Sequence, residues 1–478
     1  MIKTNHKIFK LIVFIVAASI LLLPGIIHAK EIDLKEAIDW GIQHNYDLQE
    51  IRYNIEKLER DLKILDAEKA LQVDLDVTPV WGFGGTESDT ANRSNSQSSA
   101  GSEFQLLKLK VEKTIVDDLN ISTEISWNVN DFTDLSIEGI VEDVNANIQL
   151  EKHIYPDSYT QSEQQIFQTK NNLKKKLEEL TWKEIEKQFD FIENYLNLFH
   201  LVEEVNIADK KSRLATENLE RVQEQIQLGE GGYQQEAEAK IALMEAENQL
   251  FNLKQNLVQQ QKEWYLELNL TEDIQVQFQK EPYYLGTLRT NMEQLSLDRE
   301  KEIALFYQAV EKHYQIKNAY IDKESLLKEA EWTKNEGKPQ INIHGGYDFS
   351  DNYWYTMLDL SWNLTDGGSQ KLKEEDTEAT ILQKEKEIIH QVKGVQLELN
   401  RLLDQDQYNL LNLEAKSAVL DKEQYTKEIM EKQYREKVIS FTQWQTQQIT
   451  MAEKELKVKE ARDLLLVNRL RLAHFLGI

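Results

Sequence analysis

A long helical hairpin, residues 157–268, constrains this chain more than any other feature, and a second copy occupies residues 365–476. Shifting the first copy by 208 positions places most of its apolar residues on apolar residues of the second. Matching pairs include Leu250 with Val458, Leu257 with Leu465 and Trp264 with Leu472. Residues 157–281 contain no proline, and 72 residues from 157 to 228 would extend about 108 Å at 1.5 Å per residue. The sequence therefore predicts helices far longer than those of ordinary globular proteins.

Within the first copy, apolar residues recur at alternating steps of four and three, which is typical of the contact seam of a coiled coil. These residues are Ile185, Phe189, Ile192, Leu196 and Phe199. The pattern drifts after Phe199. A helix in a curved wall must meet neighbours on both sides, so the drift favours a tube over a simple two-helix coil.

A shorter helical stretch also repeats, but with a different offset, 268 positions. The tetrapeptide at 45–48, Asn-Tyr-Asp-Leu, matches His-Tyr-Gln-Ile at 313–316. The difference between the two offsets places an insertion between residues 72 and 156 of the first copy. Asp33 and Glu36 have the spacing of a capping box and predict a helix start. We therefore predict a tandem repeat. Its parts are a first repeat at 30–270 (helix 33–70, strands 72–156, helical hairpin 157–268), a linker or equatorial segment at 271–300, and a second repeat at 301–478 (helix 301–335, strand hairpin 339–364, helical hairpin 365–476).

The first 29 residues have the pattern of an export signal peptide. Three lysines precede the apolar stretch 11–23, and Ala29 offers a cleavage site. An uncleaved membrane anchor is the alternative, because residues 8–27 are nearly long enough to span a bilayer. We expect cleavage. The chain has no cysteine, which excludes disulfides, thiolate metal sites and an acylated N-terminal cysteine.

The charge balance restricts the possible partners. There are 56 Lys and Arg residues against 83 Asp and Glu residues, a formal net charge of −27. Such a surface repels phosphate backbones, so we expect no nucleic-acid partner. The excess carboxylates either lie on helix surfaces that face solvent or line an acidic lumen that favours cations. The nine histidines are scattered, and the glycine clusters lack the lysine of a phosphate loop, so we predict no catalysis, no metal and no cofactor.

Alternating apolar and polar residues predict strands between the helices of each repeat. Residues 341–349 and 358–364 alternate across a turn, and each strand has about the ten residues that a tilted strand needs to cross a bilayer. Taken alone, this hairpin fits a soluble fold equally well. In the first repeat four further strands alternate on either side of a polar loop at 86–102. One apolar and one polar face is the pattern of a transmembrane barrel, and the bare edges of a six-stranded sheet imply that several chains share it.

Several motifs resemble the TolC-like outer membrane efflux protein family over essentially the whole mature length. They are Ile-Asp-Leu-Lys-Glu-Ala-Ile at 32–38 with Asn-Tyr-Asp-Leu at 45–48, Leu-Ser-Trp-Asn-Leu-Thr-Asp-Gly-Gly at 360–368, and the Leu-Gly-Ile ending. The family usually has proline where this chain has Tyr46. The resemblance implies a mainly α fold of long helical hairpins (an α-barrel of coiled coils) plus strands that contribute to a shared trimeric outer-membrane β-barrel.

The resemblance also implies a function and partners. The protein would be the outer membrane channel, or exit duct, of a tripartite efflux pump or a type I secretion system, with its helical portion in the periplasm. Its partners would be two further copies in a homotrimer, outer membrane lipid, a periplasmic adaptor (membrane fusion) protein and an inner-membrane transporter of the ABC or RND type. The alternative is a non-conducting coiled-coil protein anchored at the envelope, with a structural or tethering role. Alternating strands favour the duct.

In this family the two helix-turn-helix tips dock the adaptor and constrict the tube. The corresponding docking residues are Leu228, Gly229, Gly231, Gly232, Tyr233, Lys437, Val438, Ser440 and Phe441. The possible pore-lining acidic residues are Glu230, Glu236 and Glu238. Lys437 stands where the family prefers glycine, and Gln235 and Gln443 replace acidic residues that are common there. Ordinary turn chemistry is the alternative explanation for these tips, since glycine readily adopts left-handed backbone angles.

Overall fold

The computed structural model describes residues 30–80, 104–115, 119–129, 144–156, 160–271, 274–276, 282–293, 302–349 and 351–478. The predicted export signal at 1–29 and the polar loop at 86–102 lie outside them. The helices are α1 (Leu34–His44), α2 (Tyr46–Glu68), α3 (Gln161–Gln227), α4 (Tyr233–Glu267), α5 (Tyr283–Glu293), α6 (Glu302–Lys312), α7 (Tyr314–Glu336), α8 (Ser369–Arg435) and α9 (Phe441–Leu476). The strands are β1 (Lys30–Ile32), β2 (Gln72–Val80), β3 (Phe104–Ile115), β4 (Leu119–Val129), β5 (Val144–Tyr155), β6 (Ile274–Val276), β7 (Gln340–Asp348) and β8 (Tyr353–Ser361).

The long helices have the lengths that a duplication requires. Helices α3 and α8 each contain 67 residues, while α4 and α9 contain 35 and 36. The chain divides into two compact units, and each takes segments from both repeats. The unit that we name the core unit comprises the described residues of 1–52, 179–313 and 392–478, and the sheet unit comprises those of 53–178 and 314–391. Among the described residues, no helix combines the length and the hydropathy needed to span a membrane.

The short helices that open each repeat are divided, where the sequence predicts one helix over 33–70 and another over 301–335. The capping box at the start is confirmed, since the Glu36 N–H donates to Asp33 Oδ1 over 2.8 Å and the Asp33 N–H donates to Glu36 Oε2 over 3.2 Å. Helix α1 ends at His44, and the extended ψ of 133° at the next residue, Asn45, breaks the helix. The Asn45 side chain donates to Glu267 O over 2.9 Å and accepts the Leu48 N–H. The matching break between α6 and α7 falls at His313, the position that the repeat offset pairs with Asn45.

The core unit packs around the predicted coiled-coil seam of α3. Phe191 and Ile192 are fully buried, and the Trp264 indole of α4 donates to Phe191 O over 3.2 Å. Helix α1 lies against this cluster at Gly41, where a Cβ atom would come within 2.4 Å of the Leu268 side chain. The close approach explains the glycine. A second part of this core is the parallel pairing of β1 with β6. The sequence did not predict it, because strands of three residues are too short to show alternation of apolar and polar residues.

Buried charges join α5, α8 and α9 in the core unit. Asp463 of α9 is 4% exposed and accepts from Arg289 of α5 and from His200 Nε2 over 2.9 Å. Arg469 of α9 donates to Asp406 of α8 over 3.0 Å and to a carbonyl of α5. Each buried carboxylate therefore has a cationic or hydrogen-bonding partner, as burial of charge requires.

The sheet unit contains one antiparallel sheet with the strand order β2-β3-β4-β5-β7-β8. Its six strands agree with the four plus two that the alternation predicts. Register places the alternating residues of all six strands on common faces. One row across the sheet reads Val73, Val111, Thr123, Ile148, Tyr347 and Trp354, and the adjacent row, on the opposite face, reads Asp74, Lys110, Glu124, Asn147, Asp348 and Tyr353. The sheet is therefore apolar on one face and polar on the other.

The helices of the sheet unit are joined by ion pairs. Asp322 of α7 accepts from Lys175 of α3 over 2.6 Å and from Lys384 of α8 over 2.9 Å. Burial works to raise the pKa of Asp322, but the two lysines outweigh it and hold the pKa below its usual value. Asp322 thus pairs with one lysine on each of two neighbouring helices.

Candidate functional site

The first tip joins α3 to α4 through residues 228–232. Gly229 has a left-handed φ of +79°, its N–H donates to Ile226 O over 3.0 Å, and the Glu230 N–H donates to Gln225 O over 2.8 Å. This is the Schellman pattern, in which a left-handed residue lets the chain satisfy the last carbonyls of a helix. A Cβ at Gly229 would meet no heavy atom within 4 Å, so backbone conformation alone favours glycine there.

The second tip joins α8 to α9 and has the same hydrogen bonds. Lys437 takes the left-handed position with a φ of +62°, its N–H donates to Tyr434 O over 3.0 Å, and the Val438 N–H donates to Gln433 O over 2.8 Å. Lys437 occupies the position that the predicted repeat offset pairs with Gly229. A lysine at this position is strained because its Cβ disfavours the left-handed region. Both tips therefore have the same left-handed turn.

The two glutamines beyond the tips cap the returning helices. At the second tip, Ser440 Oγ accepts the Gln443 N–H over 3.2 Å while the Ser440 N–H donates to Gln443 Oε1 over 2.9 Å. At the first tip the Gly232 N–H donates to Gln235 Oε1 over 3.3 Å. A glutamine three residues into a helix is the usual partner in a capping box. Gln235 and Gln443 therefore both make the hydrogen bond that this helix position allows.

Apolar side chains among the predicted docking residues face solvent. Leu228 is 75% exposed and Tyr233 is 85% exposed at the first tip, while Val438 is 67% and Phe441 is 45% exposed at the second. Exposed apolar side chains that cluster at a turn are typical of surfaces that bind a partner. The first turn also contains Gly231 and Gly232, and the second contains Lys437 and Ser440.

The predicted acidic residues lie beside the first turn, and two of them are held by neighbouring amides. Glu236 accepts from Gln223 of α3 over 3.1 Å, and Glu238 accepts from Gln234 over 2.9 Å. Glu230 is exposed within the turn, where its backbone N–H closes the Schellman motif. The first tip is thus acidic on its α4 side.

An aromatic pair, Tyr434 and Trp444, stabilises the second tip and lies outside the predicted docking residues. The Tyr434 ring stacks on Trp444 with centroids 6.1 Å apart and an angle of 10°, and it also contacts Phe441. Behind this tip, Ile449 of α9 packs in one cluster with Ile207 and Leu214 of α3, so the second hairpin contacts the first. The placement of Tyr434 and Trp444 on opposite sides of a turn is the sequence signal that predicts such a stack.

No protein-family model matches the chain, and no curated protein is similar to it in sequence. Solved structures are similar to it in fold. CusC, described for its folding and transmembrane channel formation, superposes with a TM-score of 0.63 at 12% identity and covers 93% of this chain and 92% of its own. The Campylobacter jejuni CmeC outer membrane channel gives 0.62 at 12%, covering 93% and 85%. The Vibrio cholerae outer membrane protein VceC gives 0.60 at 11%, covering 93% and 96%. This chain has the TolC-like outer membrane channel fold.

Within this fold the described residues place the carboxylates along helices and strands and do not gather them into a centre. Among the described residues, no group of three or more His, Asp and Glu side chains is placed to hold a metal ion. The cleft lined by His200, Asp463 and Asn256 contains the buried Asp463 group, whose carboxylate already binds Arg289 and His200. The Asp463 group therefore joins α3, α5 and α9. Among the described residues, the tips and the sheet are the candidate functional surfaces.

Proposed function

We propose that the chain is one subunit of a homotrimeric exit duct in the outer membrane. The observation that carries the proposal is the two-faced sheet. Trp354, Leu358 and Leu360 are 78%, 65% and 64% exposed on its apolar face, and such a surface is stable against lipid. The polar face would then border the passage through which substrate leaves the cell.

The directions of the two edge strands support a shared barrel. Strands β2 and β8 end the described sheet and run in opposite directions, because each of the five neighbouring pairs is antiparallel. The β8 strand of one copy would therefore pair antiparallel with β2 of the next. An unpaired strand edge is very unfavourable in hydrocarbon, and closure across copies removes it.

The tips support the proposed partners. Exposed Leu228, Tyr233, Val438 and Phe441 would dock a periplasmic adaptor protein. The adaptor would connect the duct to an inner-membrane transporter of the ABC or RND type in an efflux pump or type I secretion system. In this arrangement the helical hairpins lie in the periplasm, and Glu230, Glu236 and Glu238 line the entrance. The chain itself catalyses no reaction.

Single-channel recording tests conduction directly. The mature protein is purified from membranes in detergent and inserted into a planar lipid bilayer, and we expect discrete current steps. A folded oligomer without current is either closed at its tips or a tether. Deleting residues 228–233 should open a closed tip, so an oligomer that remains silent after this deletion contradicts the duct.

Cysteine cross-linking tests the trimer. Because the chain has no cysteine, one cysteine in β2 and one in β8, scanned over opposing registers such as Leu75→Cys with Leu358→Cys, report only on the edges. A closed trimer yields covalent species of two and three chains and none larger. Linkage within one chain would show that six strands close alone, and an open series of larger species would show an open assembly.

A further inference from the structure

The two helix breaks meet the ends of the returning helices through different side chains. At the first joint, the break residue Asn45 donates through its amide to Glu267 O at the end of α4 over 2.9 Å. At the second joint, the ring of the break residue His313 contacts that of Phe475 near the end of α9, with centroids 5.5 Å apart. The predicted offset of 208 pairs Glu267 with Phe475. The two joints therefore correspond in position, but only the second has a break residue that can take up a proton.

A second histidine completes the second joint. Trp182 of α3 contacts both imidazoles, with its ring centroid 4.7 Å from that of His313 and 4.0 Å from that of His474. His313, Trp182 and Phe475 are 9%, 7% and 7% exposed. Nε2 of His474 is buried without a hydrogen-bonding partner among the described residues. Because an imidazolium donates from both of its nitrogens, protonation of His474 would leave a buried N–H without an acceptor.

The charged side chains around the two imidazoles are already paired with one another. They are Lys183 and Glu186 of α3, Lys312 of α6, Glu398 and Arg401 of α8, and the pair formed by Asp190 of α3 with Arg471 of α9. Glu186 accepts from Lys183 over 2.6 Å and from the Trp182 indole over 2.8 Å. Glu398 binds Arg401 over 2.6 Å. Both carboxylates that attract a proton to His313 therefore have cationic partners of their own.

Burial controls the protonation of both histidines. It lowers the pKa of His313 to about 4 and also lowers the pKa of His474, against the attraction of Glu186. A histidine released to water returns to a pKa of about 6.5. Between these two values the released histidine binds a proton that the packed histidine does not. Release of the histidines is therefore increasingly favoured as the pH falls from 6.5 to 4.

We propose that the second joint is an acid-sensitive switch, in which protonation of His313 and His474 releases the last turn of α9 from Trp182 while the first joint stays closed. The proposal goes beyond the duct and does not depend on conduction. Gly477 ends α9 beside α6, at a place where a Cβ would come within 2.7 Å of Lys312 Cγ. Release of this turn would therefore also remove a contact from the end of α6.

Two buried leucines that the offset of 208 relates report on the two joints. Leu476 ends α9 and Leu268 follows α4, and both are fully buried. Because the chain has no cysteine, Leu476→Cys and Leu268→Cys each introduce a single thiol. The rate of its reaction with 4,4′-dithiodipyridine, which modifies thiols in acid as well as at neutral pH, is measured in the purified mature protein from pH 7 to pH 4. The ratio of the two rates cancels the pH dependence of the thiol reaction itself.

We expect the rate for Leu476→Cys, divided by that for Leu268→Cys, to rise about twentyfold between pH 7 and pH 5. This factor follows from a pKa of about 4 for His313 in the closed joint and about 6.5 in the open one. Protonation of His474 adds to it. An unchanged ratio would overturn the proposal, and an increase of both rates by one factor would indicate general unfolding and would overturn it equally.

A double variant separates the histidines from other acid-sensitive groups. His313→Asn/His474→Leu introduces at each position the residue that stands at the matching place in the first repeat, Asn45 and Leu266. In this background the ratio of the two cysteine rates should remain nearly constant from pH 7 to pH 5. Persistence of the twentyfold rise would show that other groups open the joint.

Hydrogen exchange of the unsubstituted chain gives the same comparison if a cysteine variant fails to fold. The two helices end with matching bonds, from the Gly477 N–H to His474 O over 2.9 Å and from the Asn269 N–H to Leu266 O over 3.0 Å. After correction for intrinsic exchange rates, the peptide 470–478 should lose protection between pH 7 and pH 5, while 262–270 keeps it. Retained protection in both peptides, or equal loss in both, would contradict the switch.

Discussion

The left-handed backbone of Lys437 should destabilise the second tip by an amount that can be measured. Lys437 has a φ of +62° in a motif where Gly229, its counterpart in the first repeat, has +79°. The left-handed conformation costs an ordinary residue about 1–2 kcal/mol. Glycine avoids that cost but loses about 0.5–1 kcal/mol through its greater freedom in the open chain. Lys437→Gly should therefore stabilise the second tip against local opening by about 1 kcal/mol, or about fivefold in the opening equilibrium.

Amide hydrogen exchange at the tip measures this equilibrium in the assembled protein. The relevant amide is that of Val438, which donates to Gln433 O over 2.8 Å and is released when the turn opens. We expect Lys437→Gly to slow its exchange about fivefold. The reciprocal change, Gly229→Lys, should speed exchange of the Glu230 amide by a similar factor, since no side chain lies near enough to clash with a Cβ there.

Two controls separate backbone strain from charge. Lys437→Ala removes the ammonium group but retains the Cβ, so its exchange should remain near that of the original protein. Lys437→Asn should fall between alanine and glycine, because asparagine tolerates left-handed angles better than most residues. If alanine protects the Val438 amide as strongly as glycine does, or if Gly229→Lys has no effect, strain is not the cause.

Three further predictions concern the rest of the chain. Asp322→Asn removes the carboxylate that binds two lysines and should cost about 1 kcal/mol of unfolding free energy at neutral pH, allowing for its one-third exposure. Because the folded pKa of Asp322 is lowered, the cost should vanish as acid protonates that carboxylate. Burial lowers the pKa of His313 to about 4, so the unfolded state binds a proton first and up to about 3 kcal/mol of stability is lost between pH 6.5 and 4. His313→Asn introduces the residue that stands at the matching position 45, and it should remove that part of the pH dependence. Leu358→Arg on the apolar face should cost about 2–4 kcal/mol of membrane insertion, while Met357→Arg on the polar face should be tolerated.

Chemical denaturation over a pH series measures the stability of the Asp322 and His313 variants. The yield of membrane-inserted oligomer compares the two arginine variants. Equal losses for Asp322→Asn at pH 7 and in acid would show that its charge is not involved. An unchanged pH slope in His313→Asn would place the acid sensitivity elsewhere. Equal insertion of the two arginine variants would contradict the face assignment of β8.

The tandem repeat was predicted from many apolar positions, and several backbone features of the structure recur at the predicted offset. The offset of the helical hairpins relates the left-handed residues of both tips, and also Asn269 and Gly477, which end α4 and α9 with φ of +52° and +69°. The helix breaks at Asn45 and His313 were not predicted. Nothing local forbids a helix there, and a hydrogen bond from Asn45 to the distant Glu267 selects the break. Contacts between residues so far apart in the chain have no local sequence signal.

The same limit applies to Asp463, whose partners Arg289 and His200 lie 174 and 263 residues away in the sequence. The sequence reveals that carboxylates exceed basic residues, but it does not say which of them share an environment. Charge patterning along α9 is equally compatible with a solvated helix surface. Only the packing of α3, α5 and α9 distinguishes this buried carboxylate from the many exposed ones.

The electrostatic character of the sheet depends on register in the same way. Alternation within one strand separates its residues into two sets, but it does not determine which set faces the same side as a set on the next strand. A slip of one residue between β2 and β3 would place Asp74 and Asp76 among the apolar residues. The observed pairing of Asp74 with Lys110, and of Lys110 with Glu124, excludes that slip. The row that brings Asp74, Glu124 and Asp348 together on one face is therefore a property of the folded sheet, which no single strand determines.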